Sequence, residues 1–126
     1  MVAVGIGLWV LPRTWQLLKE SMNILLEGVP DGVDVAAVGQ LIASTPGVVS
    51  VHDLHIWALT SGKTSLTAHV VHDGTAVPDA LIDVIKIKLA DQFKVSHTTL
   101  QLETKPCEHT EDGCNFIDPR SPVVAQ

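Results

Sequence analysis

Apolar and polar positions change spacing along this chain, and each change of period marks an element. Val2 to Leu11 is apolar throughout, until Pro12 and Arg13 interrupt it. Leu11, Trp15, Leu18, Met22 and Leu25 then recur at three- and four-residue steps, the period of an amphipathic helix. Gly28 supplies a stop and Val29-Pro30-Asp31-Gly32 a turn cluster. This predicts a helical connector over 12–27 and a compact domain from about Val29. A second helix is expected from Asp34, a good cap, with Val35, Val38 and Ile42 facing inward and Thr45-Pro46-Gly47 ending it.

Two β-rich runs follow. Val48 to Leu59 is dense in Val, Ile and Trp, Thr60-Ser61-Gly62-Lys63 turns the chain, and Thr64 to His72 returns, which predicts a hairpin. Pro78, tolerated at a helix start, opens another helix with Leu81, Ile85 and Leu89 on one face, and a last strand runs from about Val95 to Thr104. The order αββαβ predicts an α+β fold: a two-layer sandwich, preceded by the N-terminal helix, with its helices on one face of a short, mostly antiparallel sheet. After Pro106 the composition turns polar, and residues 106–126 are expected to form a flexible tail.

The N-terminal apolar run is about half the roughly 20 residues a spanning helix needs. It lacks the basic flank and cleavage site of a signal peptide. It reads as the cytosolic end of a membrane helix, with Arg13 and Lys19 as a cytoplasmic flank; the alternative is an apolar strand or helical turn docked on the domain. A net charge of -6 and the absence of a basic run argue against nucleic acid and mildly favour cations. Two cysteines do not make a disulfide framework, and reduced thiols can ligate metal. Nucleotide-loop, nucleophile-elbow and HExxH motifs are lacking; Gly62-Lys63-Thr64 has no upstream glycine and sits in a hairpin turn, so the chain is not read as an enzyme.

Alternation sorts the polar donors. With Leu100 and Leu102 facing the helices, Thr99, Gln101 and Glu103 face away, with His97 in line; with Leu66, Ala68 and Val70 inward, Thr67, His69 and Val71 face the same way, and a face of mixed apolar and ligand-type side chains suggests an interface. His52 and His55 lie three apart, so on a strand only one of them joins a common site unless a bulge intervenes. Alternation does not choose between them, because both faces of this strand carry apolar residues. A lone strand histidine is more often structural than a ligand, whereas imidazoles and carboxylates in groups of three or four suit zinc-like ions. Cys107-Glu108-His109 and Cys114 are weaker by spacing.

The segments Leu8-Trp9-Val10-Leu11-Pro12, Leu25-Leu26-Glu27-Gly28-Val29-Pro30, His52-Asp53-Leu54-His55-Ile56-Trp57-Ala58-Leu59-Thr60-Ser61-Gly62, Ser65-Leu66-Thr67-Ala68-His69-Val70 and His97-Thr98-Thr99-Leu100-Gln101-Leu102-Glu103 carry a resemblance. Together they resemble the cytosolic C-terminal domain of the cation diffusion facilitator transporters, and within that family its bacterial cobalt–zinc–cadmium exporters. The resemblance implies a ferredoxin-like, metallochaperone-like domain over 29–105 and a V-shaped homodimer. It also implies a location at the cytoplasmic face of the inner membrane, with residues 1–28 as membrane-helix end and connector. It maps regulatory ligands for Zn2+, Co2+ or Cd2+ onto His52, His69 and Glu103, with His97 a nearby candidate and Cys107 and Cys114 corresponding loosely.

By the same resemblance, metal bound between or near protomers draws the two domains together. The family's transport site of membrane aspartates and histidines has no counterpart in these residues, so the chain is expected not to transport alone. It is expected to be a part of a transporter, a truncated product or a freestanding module. The competing reading is a soluble dimerisation module without a physiological metal site; an acylphosphatase-like hydrolase lacks the basic phosphate loop it needs.

Overall fold

The computed structural model describes residues 2–105, in the order α1 (Val2–Leu25), α2 (Val35–Ala43), β1 (Val48–Thr60), β2 (Lys63–His72), α3 (Pro78–Phe93) and β3 (Val95–Glu103). The expected tail and its donors Cys107, His109 and Cys114 lie outside the described residues.

Helix α1 runs unbroken through Pro12, so the apolar run and the amphipathic stretch after it form one helix. Proline's fixed φ is itself helical, and the cost of a missing N–H falls on one carbonyl, that of Leu8. None of the residues of α1 is buried, and Leu8, Trp9, Leu11, Trp15, Leu17 and Leu18 are all exposed. Among the described residues no helix is long and apolar enough to cross a membrane. The helix ends where Gly28 N–H donates to the Asn23 carbonyl, and Ala58 N–H donates to the Gly28 carbonyl, tying the connector to β1.

Local chemistry explains the remaining boundaries. Asp34 caps α2 by accepting from the amides of Ala36 (2.9 Å) and Ala37 (3.2 Å), which satisfies donors that the first turn leaves open. Gly47, at φ 93°, turns the chain into β1 with a backbone that a side chain would strain. Pro78 starts α3, and Lys94 closes it in the left-handed conformation, its N–H donating to the Leu89 carbonyl.

The fold is the ferredoxin-like α+β sandwich, with a sheet in the order β1-β2-β3. Strands β1 and β2 pair antiparallel, whereas β2 and β3 pair parallel. The sheet is therefore less antiparallel than expected: α3 carries the chain back across the sheet, so β3 re-enters in the direction of β2. Val38 and Ile42 of α2 and Leu81, Ile85 and Leu89 of α3 bury against Val51, Ile56, Leu66, Ala68, Val70 and Val95. Burying each large aliphatic side chain contributes about 1.5–3 kcal/mol, so this layer is what holds the sheet's register. The opposite face carries His52, His69 and Glu103 together with apolar residues such as Val71 and Trp57.

Candidate metal centre

The site is built on the face of the sheet turned away from α2 and α3, with one donor from each strand. His69 lies on the central strand between the core residues Ala68 and Val70, so alternation turns it to the opposite face, and it is paired across to His52. Glu103 is the last residue of β3, opposite Val71 and diagonal to His69.

His52 reaches this face through an irregularity. Its partner is His69, the partner of His55 is Thr67, and between them Asp53 and Leu54 together oppose Ala68. This is a β-bulge, and Asp53 carries its unusual backbone with φ 48°. Because Thr67 and His69 share a face, the bulge brings His52 and His55 to one face as well. His55 stands one pair farther from Glu103 and is exposed, beside a hollow of about 550 Å³ that Glu27 and Trp57 also line.

The donors converge closely. His52 Nε2 lies 3.3 Å from Glu103 Oε2, and His69 Nδ1 lies 3.0 Å from Glu103 Oε1. The two imidazoles meet edge to face, with ring centroids 5.1 Å apart. One ligand atom from each of His52, His69 and Glu103 lies within 4.8 Å of the others. A tetrahedral ion with bonds of about 2.0–2.1 Å sets its ligand atoms roughly 3.3 Å apart, so small side-chain rotations would seat one. Two nitrogens and a carboxylate oxygen suit zinc and its neighbours better than magnesium or calcium, which prefer oxygen alone.

Solvent reaches the cluster unevenly. The His52 side chain is 0% exposed, that of Glu103 18% and that of His69 34%, so the approach lies on the His69 side. Gln101 Nε2 donates to Glu103 Oε1 at 2.7 Å and holds the carboxylate toward the imidazoles, the orienting role that outer groups play around metal ligands.

Of the sequence candidates, His52, His69 and Glu103 are brought together and His97 is not. His97 stands opposite Ser65 at the far end of β3, roughly 20 Å from Glu103 at about 3.3 Å per residue. Alternation placed it on the right face without fixing its distance along the strand. Sequence reasoning missed Gln101 as an orienting group and Asp53, whose Oδ2 lies 4.0 Å from His69 Nδ1. The signal for Asp53 was a strand-averse residue amid the Val, Leu, Ile and Trp of β1.

Fold and donor set define a small α+β domain with a cluster of nitrogen and oxygen groups fit for a divalent cation. The chain belongs to the cation efflux protein family, residues 30–105 matching the model of that family's cytoplasmic domain. It is 58% identical over 116 residues to the metal cation efflux system protein CzcD of Cupriavidus metallidurans, covering 91% of this chain and 37% of that protein. Over 118 residues it is 36% identical to the zinc transporter ZitB of Escherichia coli, covering 90% of this chain and 37% of ZitB. Over 122 residues it is 32% identical to the cadmium, cobalt and zinc/H(+)-K(+) antiporter of Bacillus subtilis, covering 95% and 39%. The chain thus spans well under half the length of these relatives. Among solved structures, the metal-bound C-terminal domain of the CzcD transporter from C. metallidurans superposes with a TM-score of 0.53 at 54% identity, covering 56% of this chain and 99% of that one.

Proposed function

We propose that this chain serves as the cytosolic regulatory and dimerisation portion of a divalent heavy-metal efflux transporter, at the cytoplasmic face of the inner membrane. In this reading His52, His69 and Glu103 bind zinc, cobalt or cadmium, and binding favours the closed form of a homodimer. Residues 29–105 are the metal-binding domain, and residues 1–28 join it to the membrane. The observation that carries the reading is the gathering of one donor from each of the three strands within 4.8 Å. The exposed apolar surface of α1 and the kinship with metal exporters support its membrane side.

The residues act through charge and geometry. The Glu103 carboxylate supplies the negative charge a dication needs, and the neutral imidazoles supply lone pairs. Gln101 holds Oε1 of Glu103, so less side-chain freedom is lost on binding. Any ion that binds the closed arrangement more tightly than the open one shifts the population toward closure, by about 2.7 kcal/mol at a hundredfold excess over Kd if only the closed form binds.

The test is a zinc titration of the full chain against a competing chelator, with H52A/H69A as control and small-angle scattering with and without zinc. The expected result is one zinc per protomer, loss of binding in the double variant, and a more compact dimer when loaded. Equal zinc affinity in H52A/H69A would refute the site. A dimer whose compactness ignores zinc would favour a purely structural module.

A further inference from the structure

We infer that Asp53 is a fourth donor to this site, completing a tetrahedral cation centre within one protomer. The inference rests on the metal-binding reading of His52, His69 and Glu103 and deepens it.

Three observations support it. First, position: Asp53 Oδ2 already stands 4.0 Å from His69 Nδ1, the atom that also faces Glu103. Ligand atoms of a tetrahedral ion sit roughly 3.3 Å apart, so this oxygen is near its place relative to His69, while Asp53 stands outside the group of His52, His69 and Glu103 that gathers within 4.8 Å and joins it by rotation of its side chain. Its side chain is 41% exposed, which leaves it room to swing toward the solvent-facing side of the cluster.

Second, backbone: Asp53 holds φ 48° as a non-glycine residue in the bulge. Left-handed backbone is unfavourable for most side chains, and aspartate and asparagine are among the few that tolerate it. The bulge is therefore built to place a short carboxylate beside His69, where a regular strand would turn this position toward Ala68 and the core.

Third, charge: Glu103 and Asp53 together carry two negative charges, which neutralise a dication held by two neutral imidazoles. A half-enclosed site, with His52 fully buried, favours such balance because residual charge there is poorly solvated. Zinc closes its shell at four ligands, and the cluster without Asp53 offers three.

The experiment uses the full chain with Zn2+ and Co2+ as probes. Asn at position 53 tolerates the same backbone but is a poor ligand, and Gly removes the donor while accepting the positive φ. Circular dichroism of the metal-free variants checks that both fold. The expected result is that D53N and D53G each weaken zinc binding by at least about 10-fold. Both variants should also alter the visible absorption of bound cobalt, which reports coordination number. Wild-type affinity and an unchanged cobalt spectrum in either folded variant overturn the inference, the fourth position then going to water or a second copy. Failure of the parent reading looks different: the wild-type chain does not bind zinc, or H52A/H69A binds it equally well.

Discussion

His52 and His55 share one face of β1, although residues three apart on a regular strand point to opposite faces. The bulge formed by Asp53 and Leu54 opposite Ala68 reconciles the two. Within the bulge the residues are not equivalent: Leu54 packs against the core, while Asp53 takes the left-handed backbone and reaches toward His69. Asp53 is thus the inserted residue, and Leu54 is the true counterpart of Ala68.

Deletions at the bulge test that distinction. Removing Asp53 leaves a regular ladder in which Leu54 faces Ala68 and both histidines keep their face, so the chain should fold with little loss of stability. Removing Leu54 instead turns the Asp53 carboxylate toward the apolar layer, where an unpaired polar group costs at least about 1–3 kcal/mol. Urea unfolding of the two deletions measures the difference. Equal stabilities would contradict the assignment.

Gln101 is exposed on β3 and donates to Glu103 Oε1. Q101A should leave folding stability within about 0.5 kcal/mol of wild type. It should nevertheless weaken zinc binding roughly 10- to 100-fold, because the carboxylate loses its orienting partner. Chelator competition reads the affinity, and thermal unfolding of the metal-free protein supplies the control.

The core and surface of α3 should respond oppositely to truncation. Leu89 is fully buried against the sheet, whereas Ile87 is 61% exposed on the same helix. L89A should cost about 2–5 kcal/mol through lost burial and a residual cavity. I87A should stay within about 0.5 kcal/mol. Denaturant midpoints at constant m-value decide it.

After β2 the chain turns through Asp73, which accepts from the Thr75 hydroxyl at 2.6 Å and the Thr75 amide at 2.8 Å. The Thr75 hydroxyl bond, then the amide bond, hold the Asp73 carboxyl below its ordinary value of 3.8. Because the folded pKa is the lower one, the stabilisation is present above the unfolded pKa and fades as pH falls through the folded pKa. T75V should remove the larger cause and raise the Asp73 pKa, as followed by NMR titration of its carboxyl carbon. An unchanged titration would assign the shift elsewhere.

Much of this architecture is legible in the residues, for identifiable reasons. Leu66, Ala68 and Val70, and Leu100 and Leu102, fix which face His69 and Glu103 take, because period-2 alternation is a local property. Asp34, Gly47 and Pro78 mark boundaries through equally local chemistry. What alternation cannot give is distance along a strand, which separates His97 from Glu103, or register between strands, which brings His52 opposite His69. The bulge was hidden because two-against-one pairing depends on the partner strand. The parallel pairing of β3 depends on the crossover of α3, which no local pattern specifies.

Drawing its donors from β1, β2 and β3 alike, the cluster fastens both sheet edges to the middle strand. An ion seated there would act as a rivet: fraying of either edge near Glu103 or His52 must first break a coordination bond. Amide hydrogen exchange at the ends of β1 and β3 should then slow in step with zinc occupancy, and the ion's residence time should follow how often those edges open.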